Sequence, residues 1–224
     1  MKLGFSSLAC PEWDLETIIS QAAAMGYSGV ELHGVRGEAH LPVVPALARG
    51  PEAVAARFAE AKVELVCLST DNRLETPDRR RLEAEKAQIR EVLELAGRLR
   101  CPNVCVTCGS QPRGETKETT LVRIADALRE LAPTAARYDT TLLLENGGDF
   151  NGTRDLWFLI DVVNHPSVRF CWNAGNSRLA GERPTVSVPR IGGMIELVHM
   201  IDLRISPDGR VEGYALPGQG GLDV

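Results

Sequence analysis

In the stretch "TLLLENGG", an apolar segment from Thr141 to Leu144 is followed directly by the carboxylate of Glu145. A strand that simply reaches the surface could end in this way. The end of a parallel strand in an α/β protein is the other explanation, since such proteins place their chemistry there. A glutamate at that position could act as a general acid or base. We therefore take Glu145 as a candidate catalytic residue.

Polar side chains also stand in two other apolar segments. Glu31 and His33 lie in "SGVELHG", where a spacing of two places both on one face of a strand. His199, Asp202 and Arg204 lie in "VHMIDLR". A lone histidine in an apolar strand is often a satisfied core residue, and the acid and the arginine could form a simple ion pair. Contact with a substrate remains an equal interpretation for Glu31, His33, Asp202 and Arg204.

The periodicity of the sequence predicts seven strands that alternate with six helices. Apolar residues at helical spacing, a capping aspartate at Asp14 and a closing glycine at Gly26 mark the first helix. The predicted strands are residues 2–7, 28–34, 63–70, 103–109, 141–147, 168–176 and 198–206. The predicted helices are residues 15–26, 51–62, 77–99, 117–138, 153–163 and 188–198. Thr153 is the predicted cap of the fifth, residues 153–163.

This alternation favours one fold class, a (β/α)8 TIM-type barrel with about seven parallel strands. Each helix between two strands returns the chain to the same end of the sheet, which makes the strands parallel. The strand segments are almost continuously apolar, as expected when both faces are covered. A doubly wound open sheet has less support, because no G-x-G-x-x-G follows the first strand and no P-loop occurs. We expect a single domain over residues 1–224, with an incomplete barrel.

Composition limits the possible binding partners and the cellular compartment. The 224 residues carry a net charge of −5 and contain no long basic run, which argues against nucleic acid. No apolar stretch is long enough for a membrane span, and no signal peptide is apparent. The six cysteines lie mostly beside or within apolar segments, which indicates reduced, buried thiols in the cytoplasm. Cys105 and Cys108 match C-x-x-C, but residues three apart in a strand point to opposite faces.

Five segments in order resemble the xylose isomerase-like TIM-barrel superfamily, which includes sugar phosphate isomerases and epimerases. They are "MGYSGVELHG", "LLLEN", "FCWNAGN", "VHMIDLR" and "LPGQGGLDV". The resemblance covers nearly the whole chain. No single segment is specific, whereas their order and spacing together are.

The resemblance implies a divalent metal, Mn²⁺, Mg²⁺ or Zn²⁺, at the ends of strands five to eight. Glu145 falls on the first ligand position, Asn173 on a second that is usually aspartate, and His199 on the third. A histidine three residues further is Asn176 here, and no eighth strand with its glutamate precedes Val224. An amide oxygen is a weaker ligand than a carboxylate. The metal site is therefore expected to be weak or absent.

Three functions follow from the resemblance. The leading one is a sugar or sugar-phosphate isomerase or epimerase, in which Glu145 ligates the metal and moves a proton. The second is a barrel that binds a small polyol without catalysis. The third, an enzyme like endonuclease IV, is weaker, because that chemistry uses three zinc ions and many histidines, and this chain has four.

Two further expectations concern surfaces. Residues 34–50 form the longest loop at the predicted rim and could be either a lid or a plain connector. A seven-stranded barrel leaves two unpaired strand edges, which invite association. We expect a homodimer that covers these edges, or else a C-terminal tail that folds back into the gap.

Overall fold

The computed structural model describes residues 2–208 and 210–221. Its strands are β1 Gly4–Ser6, β2 Gly29–Leu32, β3 Glu64–Arg73, β4 Asn103–Thr107, β5 Thr141–Glu145, β6 Val168–Asn173, β7 Ile195–His199, β8 Asp202–Ile205 and β9 Val211–Ala215. Its α-helices are α1 Leu15–Ala24, α2 Pro45–Arg49, α3 Pro51–Glu60, α4 Arg79–Leu99, α5 Lys117–Arg137, α6 Thr153–Val163, α7 Ala174–Leu179 and α8 Pro184–Ile191. Short 3₁₀ turns cover Ser7–Ala9, Leu41–Val43 and Gly192–Met194.

The first seven strands form one parallel sheet in the order of the sequence, from β1 to β7. The sheet curls into an incomplete barrel of the TIM type, so the predicted fold class is confirmed. Its register brings the candidate residues to one height. Glu145 lies opposite Cys171 on the neighbouring strand, and Asn173 lies opposite His199. The carboxyl ends of β5, β6 and β7 therefore meet at one rim.

Side-chain caps fix where the helices that connect the strands begin. The Asp14 carboxylate accepts from the Thr17 N–H before α1, as the sequence predicted. Thr116 caps α5 in the same way. The predicted cap at Thr153 is wrong, because Gly152 precedes α6 and the Glu182 carboxylate accepts from the Thr153 N–H at 3.0 Å. The Glu182 side chain, from the loop after α7, therefore caps α6.

The sheet separates two apolar regions. The larger one lies between the strands and the surrounding helices and includes Cys108, Phe150 and Phe170. The smaller one is the barrel interior. It is formed by Cys67, Cys105, Leu143 and Cys171 with Val66 and Leu197 against them. Because Cys105 and Cys108 belong to different regions, the prediction that they face opposite sides is confirmed.

The C-terminal part departs from the prediction. The predicted strand 198–206 contains the end of β7 and all of β8, and β8 pairs antiparallel with β9 in a separate two-stranded sheet. The predicted helix 188–198 is α8, which ends at Ile191, and the predicted strand 168–176 ends at Asn173. Hydrophobic periodicity cannot reveal these breaks, because they depend on pairing with residues far along the chain.

The loop of residues 34–50 is packed against the protein. Leu41 and Leu47 are buried, and the backbone of Val35 pairs with Glu38. These contacts favour the connector over the lid. Among the described residues, none of the helices is long and apolar enough to cross a membrane.

Candidate active site

Three side chains from three strands meet at the carboxyl rim of the sheet. The imidazole of His199, at the end of β7, lies between two carboxylates. Its Nδ1 is 2.8 Å from Glu145 Oε1 and its Nε2 is 2.7 Å from Glu31 Oε2. The predicted candidates on β2, β5 and β7 are thus brought into one cluster, which we call the Glu31–His199–Glu145 cluster.

The two carboxylates hold the imidazole in its charged form. Burial by itself would lower the pKa of His199, but the hydrogen bonds that its ring donates to Glu145 and Glu31 outweigh it and raise the pKa to about 11. Burial also acts to raise the pKa of Glu31, and the contact with His199 reverses this, so its pKa is lowered. Ionised carboxylates only accept hydrogen bonds, so both ring nitrogens donate. Glu31 is 6% exposed, and His199 is 21% exposed.

Asn173 turns its amide nitrogen, not its oxygen, toward the cluster. Its Nδ2 donates to Glu145 Oε1 at 2.8 Å, and its Oδ1 accepts from the Asn176 N–H at 3.0 Å, which caps α7. A flipped amide would place two N–H groups against each other at Asn176. The predicted ligand role of Asn173 therefore does not fit this arrangement, in which the side chain caps α7.

Asn146, which the sequence analysis did not single out, holds this arrangement from below. It is fully buried, and its Oδ1 accepts from the Asn173 N–H at 2.7 Å. Its Nδ2 donates to the Asn173 carbonyl and to Ser177. A polar residue directly after a candidate catalytic residue at a strand end was the available signal.

Cys171 is the second residue that sequence reasoning missed. Its thiol is fully buried in the barrel interior, next to Glu145 across the β5–β6 pair. A carboxylate oxygen of Glu145, the Cys171 sulfur and a ring nitrogen of His199 all lie within 4.8 Å of one another. Burial raises the pKa of the Cys171 thiol to about 12. The signal was its spacing of two from Asn173, which puts both on one strand face.

The donors at this site match only part of the ligand set that the resemblance implied. Glu145 and His199 are suitable ligands, whereas the amide nitrogen of Asn173 is a hydrogen-bond donor and cannot ligate. The third donor in reach is a sulfur, which suits Zn²⁺ better than Mn²⁺ or Mg²⁺. The residues present therefore fit a metal with a nitrogen, an oxygen and a sulfur ligand.

His33 lies at the same rim but outside the cluster. Its Nε2 is 3.0 Å from Asp71 Oδ1, and its backbone N–H donates to Ser7 Oγ. Asp71 lies within β3. The His33 side chain is 17% exposed, so a ligand at the rim can reach it.

Asp202 and Arg204 belong to β8 of the two-stranded sheet and not to the seventh barrel strand. The buried Asp202 carboxylate accepts from the backbone N–H groups of Gly218 and Gly220, so it holds the C-terminal tail. Arg204 is exposed and lies against Gly213 of β9. The rest of the segment "LPGQGGLDV" beyond Gly221 lies outside the described residues.

Comparison with known proteins agrees with this fold. Among solved structures, the IolI protein with a bound zinc atom has a TM-score of 0.84 at 19% identity, over 100% of this chain and 81% of that one. The probable 3-DHS dehydratase AsbF of Bacillus anthracis has a TM-score of 0.81 at 14% identity, over 98% and 85%. The 3-keto-D-glucoside 4-epimerase YcjR of E. coli has a TM-score of 0.80 at 18% identity, over 100% and 84%.

These identities are too low to carry more than the fold. A comparison with curated proteins gives no significant match. The model of the family described as xylose isomerase-like TIM barrel, however, matches residues 19–224, which is most of the sequence. The chain belongs to the xylose isomerase-like TIM barrel family.

Proposed function

We propose that the protein is an isomerase or epimerase of a small sugar or sugar phosphate, with Glu145 as its proton-transfer group. The observation that carries this proposal is the Glu31–His199–Glu145 cluster at the carboxyl ends of β2, β5 and β7. Barrel enzymes place their chemistry at this rim. The epimerases among the similar structures add support at the level of the fold.

The hydrogen bonds within the cluster give Glu145 and Glu31 different roles. Both hydrogen bonds to Glu145 fall on Oε1, and the side chain is 18% exposed. Among the described residues, Oε2 is thus the oxygen left to take a proton from a carbon next to a carbonyl. Glu31 fixes the ring of His199 from the opposite side. His33, with Asp71 behind it, would contact substrate hydroxyl groups at the rim.

Glu145 and His199 would also hold a divalent metal. When bound there, such an ion would polarise substrate oxygens and acidify the neighbouring C–H bond. The remaining groups do not depend on it: Glu145 accepts and returns the proton, and Asn173 and Asn146 keep its carboxylate in place.

Deuterium exchange tests this proposal without knowledge of the product. The protein is incubated in D₂O with a panel of ketoses, aldoses and their phosphates, with Mn²⁺, Mg²⁺ or Zn²⁺ supplied, and NMR follows exchange at the carbon beside the carbonyl. We expect exchange with at least one sugar. Glu145→Gln should slow it by at least about 100-fold, since a positioned acid–base group contributes roughly 10²–10⁴.

Glu60→Gln is the matched control, because Glu60 lies at the end of α3 with a side chain 64% exposed. It should exchange at the wild-type rate. Absence of exchange with every sugar and metal would overturn the proposal, as would an unaltered rate in a folded Glu145→Gln variant.

A second candidate function is supported by Asn173. An amide donor in place of a carboxylate suits a site that binds a polyol without turning it over. Calorimetry with the same sugar panel separates the two candidates. Binding without any exchange would favour the polyol-binding barrel, and measurable exchange would remove it.

A further inference from the structure

The interior of the barrel beneath the Glu31–His199–Glu145 cluster is lined with thiols. Cys67 on β3, Cys105 on β4 and Cys171 on β6 surround Leu143 and are all free. They are close enough to affect one another, since hydrogen bonding with Cys171 and Cys67 acts on the pKa of Cys105.

Cys67 pairs in register with Glu31, but of these thiols only the Cys171 sulfur lies within 4.8 Å of both a Glu145 oxygen and a His199 nitrogen. Cys171 pairs in register with Glu145 on one side and with Leu197 on the other, two residues before His199. Its sulfur, an oxygen of Glu145 and a nitrogen of His199 form the single group of three metal-binding donors found among the described residues. The donors come from three neighbouring strands of a rigid sheet.

The surroundings of His199 also suit a metal ligand. Ligating histidines nearly always donate the other ring N–H to a carboxylate or carbonyl, which fixes the ring. The nitrogen that faces Glu145 is Nδ1, and Nε2 faces Glu31 at 2.7 Å. Glu31 therefore stands where an outer carboxylate partner is expected, buried and aligned with the ring.

We propose that Cys171 is a metal ligand and that this site, with Glu145 and His199, selects Zn²⁺ over Mn²⁺ and Mg²⁺. Three protein ligands with one open position are the usual arrangement of a catalytic zinc, and thiolate ligands favour zinc over harder ions. The sulfur takes the place that Asn173 cannot fill with its amide nitrogen. This inference rests on the proposed function for the location of the metal.

Zinc binding in this arrangement displaces two protons. The Cys171 thiol loses its S–H proton to become a thiolate, and the His199 ring loses the proton on Nδ1 while it keeps the one on Nε2. Both protons pass to solvent. Neither the metal nor the sulfur changes oxidation state, and Glu145 binds as a carboxylate without proton loss.

X-ray absorption at the zinc edge tests the ligand directly in the wild-type protein loaded with one equivalent of Zn²⁺. We expect one sulfur at about 2.3 Å together with nitrogen and oxygen neighbours at about 2.0–2.2 Å. Cobalt loading gives a second readout, because a thiolate ligand produces a charge-transfer band in the near ultraviolet. Both measurements read binding, not turnover.

Cys171→Ser should remove the sulfur neighbour and the cobalt band. It should also weaken zinc binding by more than about 10- to 100-fold. That is the loss of metal affinity when only a hydrogen-bond partner of a ligand is removed, and loss of a ligand itself should cost more. Cys101→Ser is the matched control, because Cys101 is equally buried but its thiol donates to the Asn103 carbonyl in the outer core. It should keep the sulfur neighbour, the band and the affinity.

The outcomes separate this inference from the proposed function. Zinc surrounded only by nitrogen and oxygen in the wild type, or no zinc binding, would overturn the role of Cys171, even if Cys171→Ser failed to fold. Tighter binding of Mn²⁺ than of Zn²⁺ would overturn the selectivity. A zinc–sulfur contact without deuterium exchange on any sugar would instead overturn the proposed function and leave the ligand in place.

Discussion

His199 on β7 and Glu31 on β2 are joined by a 2.7 Å contact although they are 168 residues apart in the sequence. The strands β1 and β7 are the two ends of the curled sheet, and β2 is next to one end. The contact therefore spans the opening of the incomplete barrel. It also continues to Glu145 through the other ring nitrogen, so that one imidazolium connects both sides of the rim.

Replacement of Glu31 by glutamine should weaken this connection. The amide keeps the shape but loses the charge that faces the imidazolium. Hydrogen bonds to charged groups contribute about 1.5–3 kcal/mol, and we expect the free energy of unfolding to fall by that amount. Urea unfolding measures it, with Glu60→Gln as a control that should change stability by less than about 0.5 kcal/mol. Equal stability of the two variants would mean that the contact contributes nothing.

Alkaline pH should remove the stabilisation that the charged His199 provides. Its pKa is raised from 6.5 to about 11 in the folded protein. The contribution is therefore fully present below pH 6.5 and is lost as pH rises through 11. With a chelator present, the stability difference between wild type and His199→Asn should shrink by at least about 1 kcal/mol from pH 6 to pH 10. A difference that stays constant or grows over this interval would contradict the charged state.

Asn173→Asp should restore the carboxylate that the family usually carries. Without metal, the new carboxylate faces Glu145 where an amide now donates, so the free energy of unfolding should fall by about 1–2 kcal/mol. With metal, the added negative charge should raise Mn²⁺ affinity by at least about tenfold. Calorimetry and thermal unfolding with and without Mn²⁺ measure both effects. Unchanged affinity would show that this side chain does not face the metal position.

Asp202→Ala should release the C-terminal tail. The carboxylate accepts from Gly218 at 2.9 Å and from Gly220 at 2.7 Å. Their loss should speed amide hydrogen exchange at these two glycines by about tenfold or more, since hydrogen bonds to a charged group contribute about 1.5–3 kcal/mol. Exchange in α4 should be unaltered. Equal exchange at Gly218 and Gly220 in both proteins would show that Asp202 does not hold the tail.

A second copy of the chain is the partner we expect at the open edges. Among the described residues, β1 and β7 are each paired on one side only, and the tail strand β9 pairs with β8 and not with them. Leu3 and Leu8 beside β1, and Val198 and Met200 at β7, are large exposed apolar side chains. Light scattering over a range of concentrations should show a dimer. A monomer at high concentration whose β1 and β7 amides are protected from exchange would exclude it.

The sequence by itself determined the repeating framework. Helical and strand periodicities are local properties, so the first six strands, their parallel pairing and the placement of Glu145 at a strand end could be predicted from it, whereas β7 begins at Ile195, inside the predicted helix 188–198. The same alternation separated Cys105 from Cys108. The resemblance then identified the family, which the family model confirms, and it placed His199 at the rim. The structure has His199 there, at the end of β7.

Only the tertiary structure decided how the rim residues are used. The direction of the Asn173 amide depends on the Asn176 N–H and on Glu145, which come from different elements. The level of Cys171 beside Glu145 depends on the register between β5 and β6. The change of sheet at Asp202 depends on pairing with β9. Each is a nonlocal contact, and hydrophobic periodicity carries no information about such partners. The bridge from Glu31 to His199 across the opening is another, because it exists only once the sheet has curled.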